Sequence, residues 1–507
     1  MWVGRRMASL TFYGGVDEIG GNKILLQDRD TRVLLDFGMS FRQSGRYFSE
    51  FLGPRKCNGL GDFFTTGLLP DIPGVYRTDY LRQMGRGRED RTVDAVLLSH
   101  GHMDHAAYLH HLRPDIELVM SRETHAVLKT IQETGSGGYS EYLDLSPSFQ
   151  IRTSERGGGY TRVTKREGTQ PRKLRIIEPG RKTRVNGVEI VPYAVDHSLP
   201  GAMAYLIHTG EGSILYTGDL RFHGYHGEET REMVEKVSGE GIDLMLVEGT
   251  RITEHRGTTE TDVYRGASEI IRGTQGLAVV NYPMRDLARF KTFHNIAKAT
   301  GRKLVIGFKQ AYQLELFAEI TGEYPGLDDP SLCLYAERKG WGTAGRSGLP
   351  SNIEGVCLPE NVCQQDYDTW EREYLDRGNT VCYTDLREDQ SQYIFYCNYF
   401  QVNELIDVKP VPGSVYIRSV TEPFDEEMEL DARRIDNWLS LFGLKQYGRT
   451  GDDGLHASGH ASGTELVEMI KAINPKKIVP IHTEHPDRLA NYFENVIRVE
   501  QGEMLKL

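Results

Sequence analysis

Residues 93–105 read VDAVLLSHGHMDH. An apolar run of strand length ends abruptly in four side chains able to hold a metal, His100, His102, Asp104 and His105, within six positions. Imidazole and carboxylate together are the donors that suit zinc. A short apolar run bounded in this way reads as a buried strand, so the ligands sit on a loop at a sheet edge, with a helix expected to start near Ala106. Two histidines two apart can face one ion while Asp104 and His105 turn toward a second. A solvated turn would carry such a cluster only by chance.

Four ligands do not complete two sites. Other strand ends supply more: His197 follows VEIVPYAVD, Asp219 closes SILYTGD, and His482 follows KKIVPI. Each is a ligand-type residue placed directly behind an apolar run. Alone, any of them could be a capped or solvated turn residue; jointly they complete a metal centre.

The rest of the chain is organised around this centre. The strand-like runs LTFY (10–13), KILL (23–26) and RVLLD (32–36) precede it, and ELVM (117–120) follows. Further strands are read at 188–198, 202–209, 213–219 and 242–249. Two strand-rich halves with helices outside predict an α/β protein with an αββα sandwich. From about residue 254, helices alternate with strands such as LAVVN (277–281) and KLVIG (303–307), which predicts an inserted α/β domain with a parallel sheet. The expected domains are therefore 1–253, 254–444 and 445–507, the first and last forming one sandwich. Residues 41–90 and 134–185 read as insertions.

Composition sets limits. The net charge of −12 does not advertise a nucleic-acid binder. Residues 152–184, however, hold eleven Lys/Arg against three Glu. That stretch, with Arg172, Lys173 and Arg175 in it, is either a solvated insertion or a contact for a phosphate backbone. The six cysteines, Cys57, Cys333, Cys357, Cys363, Cys382 and Cys397, show no C-x-x-C spacing. They read as reduced, mostly buried thiols. No apolar run is long enough to cross a membrane, and the first residues lack the apolar stretch of a signal peptide. A cytoplasmic protein without a membrane partner is expected.

HGHMDH, then Asp-His-Ser, then TGD resembles the ordered motif set of the metallo-β-lactamase superfamily, and LLDFG (34–38), with Asp36, looks like its first motif. The C-terminal half resembles the β-CASP branch: Glu248 in VEGT stands at the acidic motif A, His460 in HASGHAS at motif B and His482 in PIHTEHP at motif C. The opening GGVDEIGGN and HASGHAS look closest to the ribonuclease J family, although Asp17 stands where that family carries glycine. The resemblance implies that His100, His102 and His197 hold one metal, that Asp104, His105 and His482 hold the other, and that Asp219 bridges them. It implies two zinc ions, with manganese as an alternative, and an activated water attacking phosphorus. His460 would bind or protonate the scissile phosphate, Glu248 would orient a histidine, and Asp36 would brace the ligand loop. His456 and Ser458 would add substrate contacts. A histidine at motif C points to RNA rather than DNA, and the implied activity is a metal-dependent ribonuclease, endonucleolytic, 5′-exonucleolytic or both. The chain stops short of the dimerisation domain many such proteins carry, which leaves a homodimer open. The competing readings are a small-molecule ester or thioester hydrolase of the same fold and a non-catalytic RNA-binding subunit.

Overall fold

The structure is a computed structural model and describes residues 7–49, 51–135, 138–154, 157–163, 168–340, 360–423, 426–448 and 453–507. The chain divides into two compact units. The first comprises Met1–Phe222, His226–Arg256 and Gly459–Leu507; the second comprises His223–Tyr225 and Gly257–Ser458.

Among the described residues the first unit holds two short two-stranded sheets and two large ones. One has seven strands in the spatial order Leu174–Ile176, Glu117–Met120, Ala95–Leu97, Thr31–Leu35, Lys23–Asp28, Ser9–Gly14 and Met504–Lys506. The other has six, in the order Thr183–Val185, Val188–Ala194, Met203–His208, Ser213–Tyr216, Leu244–Val247 and Ile478–Pro480. Successive side chains of a strand point to opposite faces, and here both faces are covered. Ile24, Leu26, Val33, Leu35 and Leu97 of the first sheet share one core with Tyr205, Ile207, Ile214, Leu246 and Val479 of the second. The alternate residues Leu25, Leu34, Val96 and Leu118 pack outward against one layer, and Leu206, Leu215, Met245 and Ile478 against the other. Double-sided burial is why these strands read as unbroken apolar runs. The arrangement is the αββα sandwich.

Two expectations need correction. Residues 41–90 are no irregular appendage: they form short helices at Phe41–Gly45, Gly61–Thr65 and Thr78–Gln83. Their Leu60, Phe63, Leu69, Ile72, Val75 and Leu81 build the outer core beside the first sheet. In the stretch 134–185, Ile151–Thr153 and Tyr160–Arg162 do pair as an exposed hairpin. Leu174–Ile176, however, joins the first sheet in parallel register with Glu117–Met120. Arg172 is buried and donates to the carbonyls of Tyr142, Arg113, Leu109 and Leu112 at 2.8–3.2 Å. Lys173 and Arg175 pair with Glu117. Arg172 is therefore scaffold, whereas Lys173 stays exposed and Arg175 half-buried at the surface.

The second unit is built on a seven-stranded, all-parallel sheet in the order Thr380–Val381, Leu332–Tyr335, Lys303–Gly307, Tyr393–Tyr396, Ala278–Asn281, Val415–Arg418 and Lys445–Tyr447. The last strand pairs with Val415–Arg418. The units accordingly part at 256/257 and 458/459, where the sequence suggested 253/254 and 444/445. Its helices are well capped: Thr259 and Asp262 form a reciprocal cap for Glu260–Gly273, and Asp286 caps Leu287–Thr300. Of the cysteines, Cys333, Cys382 and Cys397 are buried and Cys57 is exposed; Cys357 and the Cys363 side chain lie outside the described residues. Among the described residues no helix is long and apolar enough to cross a membrane.

Candidate metal centre

Six strands of the first unit end in residues singled out from the sequence. Asp36 follows Thr31–Leu35, His100 closely follows Ala95–Leu97, and His197 follows Val188–Ala194. Asp219, Glu248 and His482 follow Ser213–Tyr216, Leu244–Val247 and Ile478–Pro480. The helix expected near Ala106 starts earlier, at Met103, so Asp104 and His105 lie in its first turn.

These ends bring the side chains into two groups. In the first, Nδ1 of His102 lies 3.0 Å from Nε2 of His100 and 3.0 Å from Nε2 of His197. In the second, Nε2 of His105 is 3.1 Å from the Asp219 carboxylate, and Nε2 of His482 is 3.1 Å from Asp104 and 3.5 Å from Asp219. Asp219 also lies 3.7 Å from His100 and 4.0 Å from His197, so it stands between the groups.

The donor chemistry fits a pair of metal ions. Both Asp219 oxygens and Nε2 of His105 are buried and, apart from the 3.1 Å approach between Asp219 and His105, have no well-directed hydrogen bond among the described residues. A tetrahedral zinc with Zn–N bonds of about 2.0–2.1 Å needs nitrogens roughly 3.3 Å apart, close to the spacing of the histidine trio. Burial, reinforced by neighbouring imidazoles, holds His100 and His197 well below the usual histidine range, and burial lowers His102 to about 4. Neutral imidazole is the form that can ligate a cation. Burial pushes the Asp219 carboxyl up, but His105 and His482 outweigh it and hold Asp219 well below the usual range.

Outer partners aim the ligands. His105 directs Nδ1 to Asp36 at 2.6 Å, and Asp36 accepts in addition from the Ser99 amide, the Ser99 hydroxyl and the Tyr216 hydroxyl. His197 directs Nδ1 to the Gly459 carbonyl, and His482 to the Thr250 hydroxyl at 2.8 Å. With Nδ1 so engaged, Nε2 faces the centre. Ser99, Tyr216, Thr250 and Gly459 were missed from sequence; the available signal was that Ser99 and Gly459 neighbour, and Thr250 alternates with, a ligand-type residue, while Tyr216 carries no such signal. Asp36 and His482 have φ of +57° and +51°, left-handed conformations that non-glycine residues adopt at a cost of order 1–3 kcal/mol. Asp17, at φ +52°, occupies a backbone position where glycine is favoured and Asp tolerated.

The LLDFG segment locks the loop in place. Phe37 and Met39 amides donate to the carbonyls of His105 and Met103, and the Asn22 amide to that of Asp104. A Cβ at Gly38 would fall 1.7 Å from the Asp104 carbonyl oxygen, so only glycine lets the two backbones meet. The buried Lys23 ties the same region by donating to the carbonyls of Gly21 and Gly38.

Glu248, fully buried, accepts from the Leu220 amide and pairs with Nδ1 of His460 at 3.0 Å. Burial pulls the His460 imidazole down, but Glu248 and Asp219 outweigh that and hold it at about 9. His460 lies 3.9 Å from Asp219. The exposed His485 belongs to neither group. His456 and Ser458 lie in the second unit, where the Ser458 carbonyl bonds to Nε2 of His223 at 3.1 Å.

Fold and donor set together make this a candidate metal centre of the metallo-β-lactamase type. Residues 16–244 match the metallo-beta-lactamase superfamily, and residues 452–501 match the Zn-dependent metallo-hydrolase RNA specificity domain. Ribonuclease J of Mycolicibacterium smegmatis is 26% identical over 97% of this chain and 73% of that protein. Ribonuclease J of Pyrococcus abyssi is 23% identical over 100% of this chain and 95% of that protein. With ribonuclease J of Mycobacterium tuberculosis H37Rv, 27% identical, the match spans 58% of this chain and 43% of that protein. The crystal structure of a protein of unknown function from Enterococcus faecalis V583 shares the fold, with a TM-score of 0.69 and 23% identity over 99% of this chain and 100% of that one. Residues 16–244 are thus a metallo-β-lactamase domain, and the chain as a whole is similar to ribonuclease J relatives.

Proposed function

We propose that the chain is a metal-dependent ribonuclease that hydrolyses RNA phosphodiester bonds at the Asp219 centre. The observation that carries this reading is the gathering of six further ligand-type side chains in two groups beside the buried Asp219 carboxylate, in a chain that aligns with ribonuclease J relatives over most of its length. His100, His102 and His197 would hold one zinc ion, Asp104, His105 and His482 the other, with Asp219 available to both sets; manganese is the alternative ion. Bound there, such ions supply Lewis acidity and acidify water. The chain's own groups do the rest. Asp36 keeps His105 in the ligand tautomer. As water adds to phosphorus, the P–O3′ bond breaks, and His460, held by Glu248, gives the leaving 3′-oxygen its proton or stabilises the phosphate oxygens. His456 and Ser458 contact the substrate phosphate. RNA is the partner, and a homodimer remains a matter for solution measurement.

One RNA labelled at either end, in 5′-triphosphate and 5′-monophosphate forms, tests this directly. Metal-dependent cleavage is expected, and the label pattern separates internal cuts from stepwise release at the 5′ end. RNA left intact under every metal condition would contradict the proposal and favour a binding subunit.

His460→Ala is expected to cut the single-turnover rate by roughly 10²–10⁴-fold while metal content and RNA affinity stay near those of the parent. Loss of a metal instead would make His460 a ligand, through the alternative grouping of Asp219, Glu248, His460 and His482.

A further inference from the structure

Within the second unit, the segment Leu455–Ser458 belongs to no helix or strand, yet it is tied down by side chains. The Leu455 carbonyl accepts from the Ser419 hydroxyl, the Ala457 carbonyl from Arg289, and the Ser458 carbonyl bonds to His223. Arg289 is the hub. It is fully buried near the start of helix Leu287–Thr300 and binds Glu260, itself 1% exposed, through both carboxylate oxygens at 3.0 and 3.1 Å. The two hydrogens of its Nη1 reach the Ser419 carbonyl at 2.8 Å and the Ser419 hydroxyl, and Nδ1 of His456, 3.4 Å away, shares one of them. Glu260 is held in turn by Thr292 at 2.9 Å.

A buried ion pair adds little net stability over apolar residues of the same volume. Its use here lies in what the remaining guanidinium donors fix. Guanidinium has no lone pair to offer, so Nδ1 of His456 can meet it only as an acceptor. The imidazole proton then sits on Nε2.

We propose that Arg289, clamped by Glu260, is a positioning residue of the substrate site: it fixes the Leu455–Ser458 segment and sets His456 as an Nε2–H donor suited to a phosphate oxygen. The inference rests on the reading of His456 as a substrate contact. Lysine cannot replace arginine here, because three donors at one point cannot span Glu260, Ser419, Ala457 and His456 together.

The test is a double-mutant cycle of Arg289→Lys and His456→Ala, with RNA KM, kcat, metal content and Tm measured on each holoenzyme. Each single change is expected to raise KM about tenfold at unchanged metal content, and the double variant to be no worse than the poorer single, a coupling of about tenfold. A purely structural Arg289 would lower Tm and leave KM and the coupling untouched. A silent His456→Ala removes both the substrate reading of His456 and the proposal. An impairing His456→Ala beside a silent or additive Arg289→Lys removes the proposal alone. Should Arg289→Lys not fold, the paired change Arg289→Met with Glu260→Leu, which leaves no lone buried charge, takes its place in the cycle.

Discussion

Replacing Asp219 by alanine is expected to strip the centre of metal and to lower RNA cleavage by at least about 10³-fold, several kcal/mol of transition-state stabilisation. Asp219 is 2% exposed, and its carboxylate lies within 4.0 Å of nitrogens from His100, His105, His197, His460 and His482. In the proposed assignment it is the carboxylate that both ligand sets share. Without it, the histidine trio retains neutral donors but no charge compensation, and the second set loses a ligand. Asp219→Asn keeps the shape and should retain part of the metal at reduced affinity. Metal content and single-turnover rate on the same preparations check this, with far-UV circular dichroism as the control for folding. An alanine variant that keeps its metal and cleaves within tenfold of the parent would contradict the assignment.

Arg172→Met is expected to destabilise the first unit by about 3–5 kcal/mol, lowering Tm by at least about 5 °C. Arg172 sits at 4% exposure and donates to four backbone carbonyls, those of Leu109 and Leu112 among them. These two lie at the end of the helical stretch that begins with the metal-binding turn. Methionine fills the space but supplies no donor, so four buried acceptors lose their partner. If Arg172 were instead a contact for the RNA backbone, the variant would bind RNA more weakly with Tm unchanged. Thermal melting and an RNA dissociation constant at two salt concentrations separate the two outcomes.

The sandwich was legible because both faces of its strands are buried, which turns Val96-Leu97-Leu98 or Leu244–Val247 into unbroken apolar runs. The grouping of ligand-type residues was legible because His100, His197, Asp219 and His482 closely follow such runs and His102, Asp104 and His105 cluster just behind His100. Other parts were hidden for physical reasons. In residues 41–90 the buried Leu60, Phe63, Leu69 and Ile72 are spread over one-turn helices and loops, so no helical or strand period emerges. A count of basic residues registers charge and not burial, so Arg172 looked like surface. The edge strand Lys445–Tyr447 is three residues long and half polar, so its pairing with Val415–Arg418 left no trace in the pattern, and the unit boundary was drawn too early. Ser99, Tyr216 and Thr250 act through hydrogen bonds to His100, Asp36 and His482, a role carried by geometry and by no feature of their own composition.

Metal stoichiometry coupled to activity tests the central claim most directly. Protein purified without chelator should carry close to two equivalents of zinc or manganese per chain, as the seven-residue donor set requires. Removing the metal should abolish cleavage of a generic RNA, and restoring two equivalents should recover it. A stoichiometry near zero, with no RNA cleavage recovered by zinc or manganese, would contradict the account.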